Sequence, residues 1–378
     1  MIEINDKAKC CGCGACVNKC PRGCISIAYD DEGFMYPQVD LDSCVDCGIC
    51  EKVCPILNVV NKERKPLEVY AAINENESIR IASSSGGLFT AFAEFVLQEG
   101  GIVLGAAFTK DWKVAHECVD HLGSLSRLRG SKYIQSEIKK AYRQTEKELK
   151  EGELVLFTGT PCQIAGLRSY LQRDYDSLLT IDILCHGVPS TRVFQEYIRE
   201  LAKGDKISSI NMRSKVRGWK SYHLNINDYS VVWSSDIFMR AFIGNLILRP
   251  SCYECKFKTG RCGSDVSLGD FWGVKKCHKE LDDDKGLSLV LINTEKGRRL
   301  FESLGNVKKT VVKYEESIIL NDGIIGSVKP HRNRARFFEE LQRAVSVTSL
   351  MERMLQPPVW IKWKYAIASS IYKLIHSV

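Results

Sequence analysis

Cys10-Cys11-Gly12-Cys13-Gly14-Ala15-Cys16-Val17-Asn18-Lys19-Cys20-Pro21 carries one cysteine spacing, and Cys44-Val45-Asp46-Cys47-Gly48-Ile49-Cys50-Glu51-Lys52-Val53-Cys54-Pro55 repeats it. Each run reads C-x2-C-x2-C-x3-C-P. Three thiolates two residues apart wrap three corners of one cubane, and the fourth reaches across to the other cluster. The spacing therefore assigns one 4Fe–4S cluster to Cys10, Cys13, Cys16 and Cys54, and a second to Cys20, Cys44, Cys47 and Cys50. Gly12, Gly14, Ala15 and Gly48 are small because backbone amides must approach the cluster sulfurs. A pair of zinc ribbons is the alternative, but zinc needs four ligands per ion with a long gap between pairs. Cys11 and Cys24 fall outside the pattern and read as a spare thiol and a packed core residue.

The rest of the composition fits this reading. The chain has 378 residues and 17 cysteines, so thiols are either disulfide staples or ligands. Met1–Lys7 carries acidic residues and no apolar stretch, which favours a reducing cytoplasm over a secreted disulfide scaffold. The net charge of +7 is concentrated after Lys329, where nine Lys/Arg face three Asp/Glu. The remainder is near neutral and argues against a nucleic-acid groove. No run of 18 apolar residues appears in the sequence, so a spanning helix is not expected.

Outward from the two runs, the order of elements predicts an α+β ferredoxin-like dicluster module followed by an α/β domain with a mostly parallel sheet. The module is expected over 1–57, a charged linker over 58–68, the large domain over 69–345, and a basic aromatic tail over 346–378. Strands are predicted at 69–73, 102–108, 154–157 and 178–184. Helices are predicted at 87–98, 136–150, 163–171 and 192–202. Residues 207–233 look strand-like without a clear order.

Several short stretches after residue 80 occur together: Ser83-Ser84-Ser85-Gly86-Gly87, Arg129-Gly130-Ser131-Lys132-Tyr133, Thr158-Gly159-Thr160-Pro161-Cys162-Gln163, Cys185-His186-Gly187, Cys252-x2-Cys255 and Asp265–Gly273. With the N-terminal module, their order and spacing resemble the beta subunit family of coenzyme F-420 hydrogenase and dehydrogenase, over roughly residues 1–310. The resemblance implies a flavin-binding large domain with one FAD, and a third 4Fe–4S cluster held by Cys162, Cys185, Cys252 and Cys255. It also implies hydride exchange with a 5-deazaflavin or another small organic redox substrate, and a protein partner such as a ferredoxin or a redox-complex subunit.

Each stretch also has its own physical reading. Ser84, Ser85, Gly86 and Gly87 precede an apolar helix whose free N–H groups suit a flavin phosphate; a plain serine N-cap is the alternative. Lys132 and Tyr133 sit in a basic loop, where Lys132 either contacts flavin or substrate, as the candidate catalytic residue, or is a solvated surface lysine. Cys162 stands at a helix start, and Cys185 ends the next strand; taken singly, either reads as an inert buried cysteine. Cys262 is a fifth nearby thiol that competes for a place in the quartet. His186 reads as a hydrogen-bonding neighbour of the ligands, with a place among the ligands as the alternative. Asp270, at a strand end beside aromatics, suits a cofactor edge or a turn. From Pro357, aromatics mixed with lysines suit a membrane-surface or partner-binding helix, or one packed on its own domain.

Motifs and resemblance together lead to the expectation of a flavin and iron–sulfur oxidoreductase. The alternative is a non-catalytic electron-transfer subunit of a larger redox complex.

Overall fold

The computed structural model describes residues 1–59 and 63–357. Strands β1 (Ile25–Tyr29) and β2 (Met35–Val39) form an antiparallel hairpin, with Ile25 opposite Val39 and Tyr29 opposite Met35. The two cysteine runs flank it. Each contains a short helix, Ala15–Lys19 and Ile49–Lys52, entered from a left-handed glycine: Gly14 at φ 72° and Gly48 at φ 71°. The same turn at the same place in each run is the structural form of the sequence repeat, and only glycine adopts it without strain.

A nine-stranded sheet forms the centre of the large domain. Its strands are β3 (Glu68–Asn74), β4 (Ile102–Phe108), β5 (Val114–Val119), β6 (Ser136–Glu137), β7 (Val155–Gly159), β8 (Leu178–Ile183), β12 (Val266–Asp270), β13 (Ser288–Ile292) and β14 (Val307–Val311). Between β8 and β12 in the chain, β9 (Ile210–Ser214), β10 (His223–Ile226) and β11 (Tyr229–Val232) make a separate antiparallel sheet, which gives the strand-like stretch at 207–233 its order. The large sheet runs β14-β3-β13-β12-β8-β7-β4-β5-β6. The parallel sheet expected from the strand–helix alternation is its middle, β4-β7-β8-β12; antiparallel pairings flank it, and β5–β6 is again parallel.

These central strands are apolar on both faces because helices cover both. Val103, Leu156 and Leu179 face helices Leu88–Gln98 and Glu295–Ser303, packing with Phe92, Val96 and Phe301. Leu104, Val155, Phe157 and Leu178 face the other way, toward Tyr142, Ile164 and Leu167 of helices Ala141–Lys150 and Pro161–Leu171. The period-two alternation of the strands fixes this partition.

Two expectations shift. The helix predicted from Ser136 begins at Ala141, because Ser136 and Glu137 pair with β5 and Lys139 turns the chain at φ 48°. Glu68 already lies in β3, and Arg64 and Leu67 donate backbone hydrogen bonds to Thr259 and Ile292, so this part of the stretch read as a linker is laid against the large domain. Helix Val347–Leu355 buries Val347, Leu350, Met351 and Met354 beside helices Thr191–Ala202 and Ile237–Ile243. The aromatic and lysine stretch beyond it, from residue 358, lies outside the described residues.

The dicluster module is clamped to the large domain at several places. Asn18 Nδ2 donates to the Lys139 carbonyl at 2.9 Å, and Arg143 Nε to the Asn18 carbonyl at 2.6 Å. At the hairpin turn, Arg334 pairs with Glu32 at 2.5 Å, and Gly33 leaves no room for a side chain against Arg192.

Candidate redox centres

In the first module the fold gathers the thiols as the spacing requires. Cys20, Cys44, Cys47 and Cys50 line one cavity, together with Cys24. Cys10, Cys13, Cys16 and Cys54 stand close enough to act on one another. Burial pushes Cys16 up to about 12, and the charges of Cys10 and Cys54 add to it. Cys54 is raised by burial too, with Cys10 contributing. Backbone N–H groups point at the sulfurs: Ile2 at Cys50 (3.2 Å), Ala15 at Cys13, Val17 at Cys16, and Leu57 and Ile56 at Cys54. Buried thiols with raised pKa values hold their protons, and bound iron reverses that by deprotonating them outright. Thiols around a common volume, with N–H donors aimed at sulfur, fit a cubane. Cys24, expected in the core, also faces this cavity; its Sγ lies 3.4 Å from that of Cys20.

The large domain brings a second set together. β7 and β8 are parallel neighbours with Gly159 opposite Asp182, so Cys162 and Cys185, just beyond their C-terminal ends, share one sheet edge. Thr160 caps the helix that Pro161 starts, with Gln163 closing the capping box, and this fixes Cys162 in the first turn. Cys252 and Cys255 lie in and after a 3₁₀ turn, Pro250–Glu254. Burial raises Cys185, and Cys252, Cys162 and Cys255 raise it further. Cys252 is pushed up to about 12 by burial, with Cys162 and Cys255 adding to it. Among the described residues no three His, Cys, Asp or Glu side chains close around a single-ion point. Cys11, read as a spare thiol, is buried and acts on both Cys13 and Cys162.

Cys262 turns elsewhere. It packs by Ser264 and Asp182. His186 Nε2 is bonded to Asn245 Oδ1 at 2.7 Å. Asp182 accepts from Ser264 at 2.6 Å and Ser267 at 2.5 Å, and burial pushes its carboxyl up to about 6. The unfolded carboxyl titrates near 3.9, so between about pH 4 and 6 the folded state keeps a proton that the unfolded state releases. Stability should therefore fall as pH rises through that window. In Asp182→Asn the fall should shrink by about 2–3 kcal/mol, read from denaturant midpoints between pH 4 and 7.

The remaining candidates meet around Arg213, which the sequence did not single out. Arg213 on β9 pairs with Asp270 at the end of β12, and Trp219 Nε1 donates to the other Asp270 oxygen at 2.9 Å. The guanidinium lies 4.5 Å from the Tyr222 ring and 5.2 Å from that of Trp272, and its Nε and Nη2 are buried without partners. Trp219 and Trp272 stack at 4.6 Å and 3°. Tyr133 adjoins Arg213, whose charge lowers the Tyr133 pKa against a larger upward push from burial. Ser84 Oγ accepts from Ser131 N at 2.7 Å, which ties the two loops together.

Ser85 and Gly86 are engaged by the sheet: Ser85 Oγ donates to Leu287 O, and Gly86 N donates to Ser288 Oγ. A Cβ on Gly86 would stand 2.5 Å from the Ala72 carbonyl, so glycine is required by the close approach. Gly87, at φ 87°, begins helix Leu88–Gln98. Lys132 donates to the carbonyls of Arg127, Leu128 and Arg129 at 3.2, 2.9 and 3.0 Å, and burial lowers its pKa to about 7. Lys215, also missed, donates to the carbonyls of Arg80, Ser85 and Lys285 at 2.6–2.7 Å.

A ferredoxin-like pair of cluster sites fixed to a mixed α/β sheet defines an iron–sulfur electron-transfer protein. Residues 9–57 match the 4Fe-4S dicluster domain, and residues 152–317 match the family described as the C terminus of the coenzyme F420 hydrogenase/dehydrogenase beta subunit. Residues 152–317 are thus similar to the C-terminal part of that beta subunit family, and a dicluster ferredoxin domain lies on their N-terminal side. It is 29% identical over 217 residues to the coenzyme F420-dependent sulfite reductase of Methanocaldococcus jannaschii, covering 56% of this chain and 33% of that protein. It is 21% identical over 214 residues to one subunit of the F(420)H(2) dehydrogenase of Methanosarcina mazei, covering 53% and 61%. The chain thus spans about a third of the first protein and three fifths of the second. A chain of the F420-reducing [NiFe] hydrogenase complex from Methanosarcina barkeri has a similar fold, with TM-score 0.50 and 17% identity over 75% of this chain and 95% of that one. Among the described residues no helix is long and apolar enough to cross a membrane.

Proposed function

We propose that this chain is a redox subunit in which three 4Fe–4S clusters exchange electrons one at a time with an FAD, and the FAD exchanges two with a small organic partner, a deazaflavin being the first candidate. The observation that carries the reading is the meeting of Cys162, Cys185, Cys252 and Cys255 at the C-terminal edge of β7 and β8, with Cys11 between Cys162 and Cys13 of the dicluster module. Thiols continuous from module to sheet give electrons a path. The relatives' names supply the deazaflavin class, and their occurrence in enzyme complexes supports a ferredoxin or redox-complex subunit as partner.

Around Arg213 the donor set suits a flavin. Its two free donors lie beside aromatic faces, and a buried cation stabilises the negative charge of a reduced flavin ring. Ser84, Tyr133 and Asp270 are the neighbouring candidates, with Ser85, Gly86 and Gly87 shaping the loop. A second reading, an electron-transfer subunit without flavin, draws on Ser85, Gly86 and Lys132 being fully engaged by backbone and side-chain groups of the chain itself.

Retention of FAD by the reconstituted chain separates them, and Lys132→Ala tests the place of Lys132 in the first reading. The substitution removes a cation but no thiol, so iron content should stay unchanged, and electron entry from a one-electron dye should survive. With flavin bound, two-electron exchange should fall by about ten- to a hundredfold, the equivalent of about 1.5–3 kcal/mol for a lost charge-assisted contact. Equal loss in both half-reactions, or none in either, would remove Lys132 from the flavin site. Failure of the purified chain to retain FAD after reconstitution would favour the second reading.

A further inference from the structure

Arg249 is fully buried, at 0% exposure, and among the described residues no carboxylate pairs with it. Its Nε donates to the Cys10 carbonyl at 2.9 Å, its Nη1 to Gln135 Oε1 at 3.0 Å, and its Nη2 has no partner. The guanidinium stands 4.3 Å from the Tyr36 ring and 5.8 Å from that of Phe34, both in the dicluster module. Gln135 also donates to the carbonyls of Cys11 (3.1 Å) and Gly12 (3.5 Å). Gly12 cannot carry a side chain here, because a Cβ would stand 2.6 Å from Gln135 Nε2 and 3.1 Å from Arg249 Nη1. Arg249 is thus wedged between the Cys10 loop and its own 3₁₀ turn, which carries Cys252, and its charge acts on Cys162 and Cys252.

An unpaired buried guanidinium is costly, and proteins keep one where an anion compensates it. A cubane with four thiolates is anionic and gains a further negative charge on one-electron reduction. We infer that Arg249 is a positioning residue shared by two clusters, a buried cation that raises the reduction potentials of the cluster on Cys10, Cys13, Cys16 and Cys54 and of the one on Cys162, Cys185, Cys252 and Cys255. The half concerning the second of these rests on the proposed third cluster; the half concerning the first does not. Net charge and hydrogen bonds near the sulfurs are established determinants of cluster potential.

The test is a redox titration of the anaerobically reconstituted full chain, followed by electron paramagnetic resonance, with iron counted in every sample. Arg249→Met should make reduction of the two neighbouring clusters about tenfold less favourable, about 59 mV per one-electron couple. The cluster on Cys20, Cys44, Cys47 and Cys50 should stay within a third of that shift. Arg249→Lys should restore most of the potential. Gln135→Leu loosens the clamp but keeps the charge, so it should leave the potentials near wild type; this variant and the lysine variant decide the matter if the methionine variant does not fold. Unchanged potentials in Arg249→Met, a lysine variant as low as the methionine one, or an equal shift in Gln135→Leu would each overturn the inference. A wild-type chain with about eight irons rejects the third cluster, and the shift of the Cys10 cluster then decides the role of Arg249 alone.

Discussion

Cys252→Ser is expected to lower iron from about twelve to about eight atoms per chain, and to cut electron transfer from the N-terminal clusters to the organic acceptor by a hundredfold or more. Cys252 lies within electrostatic reach of Cys162, Cys185 and Cys255, and the Val188 N–H points at its sulfur at 3.4 Å. Its loss removes one corner of the proposed cubane and leaves all eight dicluster thiols in place. Dye reduction at the N-terminal clusters should therefore persist. The protein should also stay folded, because serine replaces a side chain in a turn that Pro250 and the Arg249 hydrogen bonds already hold. Unchanged iron and unchanged transfer in the variant would remove this quartet from the electron path.

Gly166→Ala is the second large effect, and its sign reverses a general rule. Replacing glycine by alanine inside a helix ordinarily stabilises by about 1 kcal/mol. Gly166 lies in the middle of helix Pro161–Leu171, but a Cβ there would stand 2.8 Å from Cys13 Cβ, 2.8 Å from Tyr142 Oη and 3.0 Å from Cys13 Sγ. None of these atoms yields easily. Tyr142 is fully buried and donates to the Gln163 carbonyl at 2.7 Å, and Cys13, itself buried, is a proposed cluster ligand. Overpacking of this kind costs about 1–3 kcal/mol, and here it falls on the seam between the two modules. Iron should fall by up to about four atoms per chain as the Cys13 cluster is lost, with a lower unfolding midpoint. An alanine variant as stable as wild type with full iron would show that the helix and the Cys13 loop are not in contact.

The N-terminal dicluster domain was legible because the ligand geometry of a cubane imposes a short local spacing, and local spacing survives in a linear sequence. The central strands were legible for a related reason: buried on both faces, they are apolar throughout. Arg213, Lys215 and Arg249 were not. Their meaning comes from distant residues, as when Arg249 bonds Cys10 across 239 positions, and a lone basic residue in an irregular stretch carries no periodic signal. The helix start at Ala141 was missed because Ser136-Glu137 has no glycine or proline to mark a break; a strand partner set it instead. The Ser83–Gly87 turn was read correctly as a turn before a helix. Close packing on β3 and β13 accounts for Gly86 without any ligand.

The two cysteine runs are interchangeable as sequence, but docking makes them unequal. The run with Cys13 is pressed against helix Pro161–Leu171, with Cys11, Cys13, Cys16 and Cys20 buried and Cys10 half-exposed, whereas Cys47 of the other run is exposed and Cys44 and Cys54 half-exposed. An approaching protein has freer access to one half of a doubled motif than to its twin. Polarity in this chain is thus a property of assembly: a near-symmetric module acquires a front and a back when one of its halves becomes an internal wall.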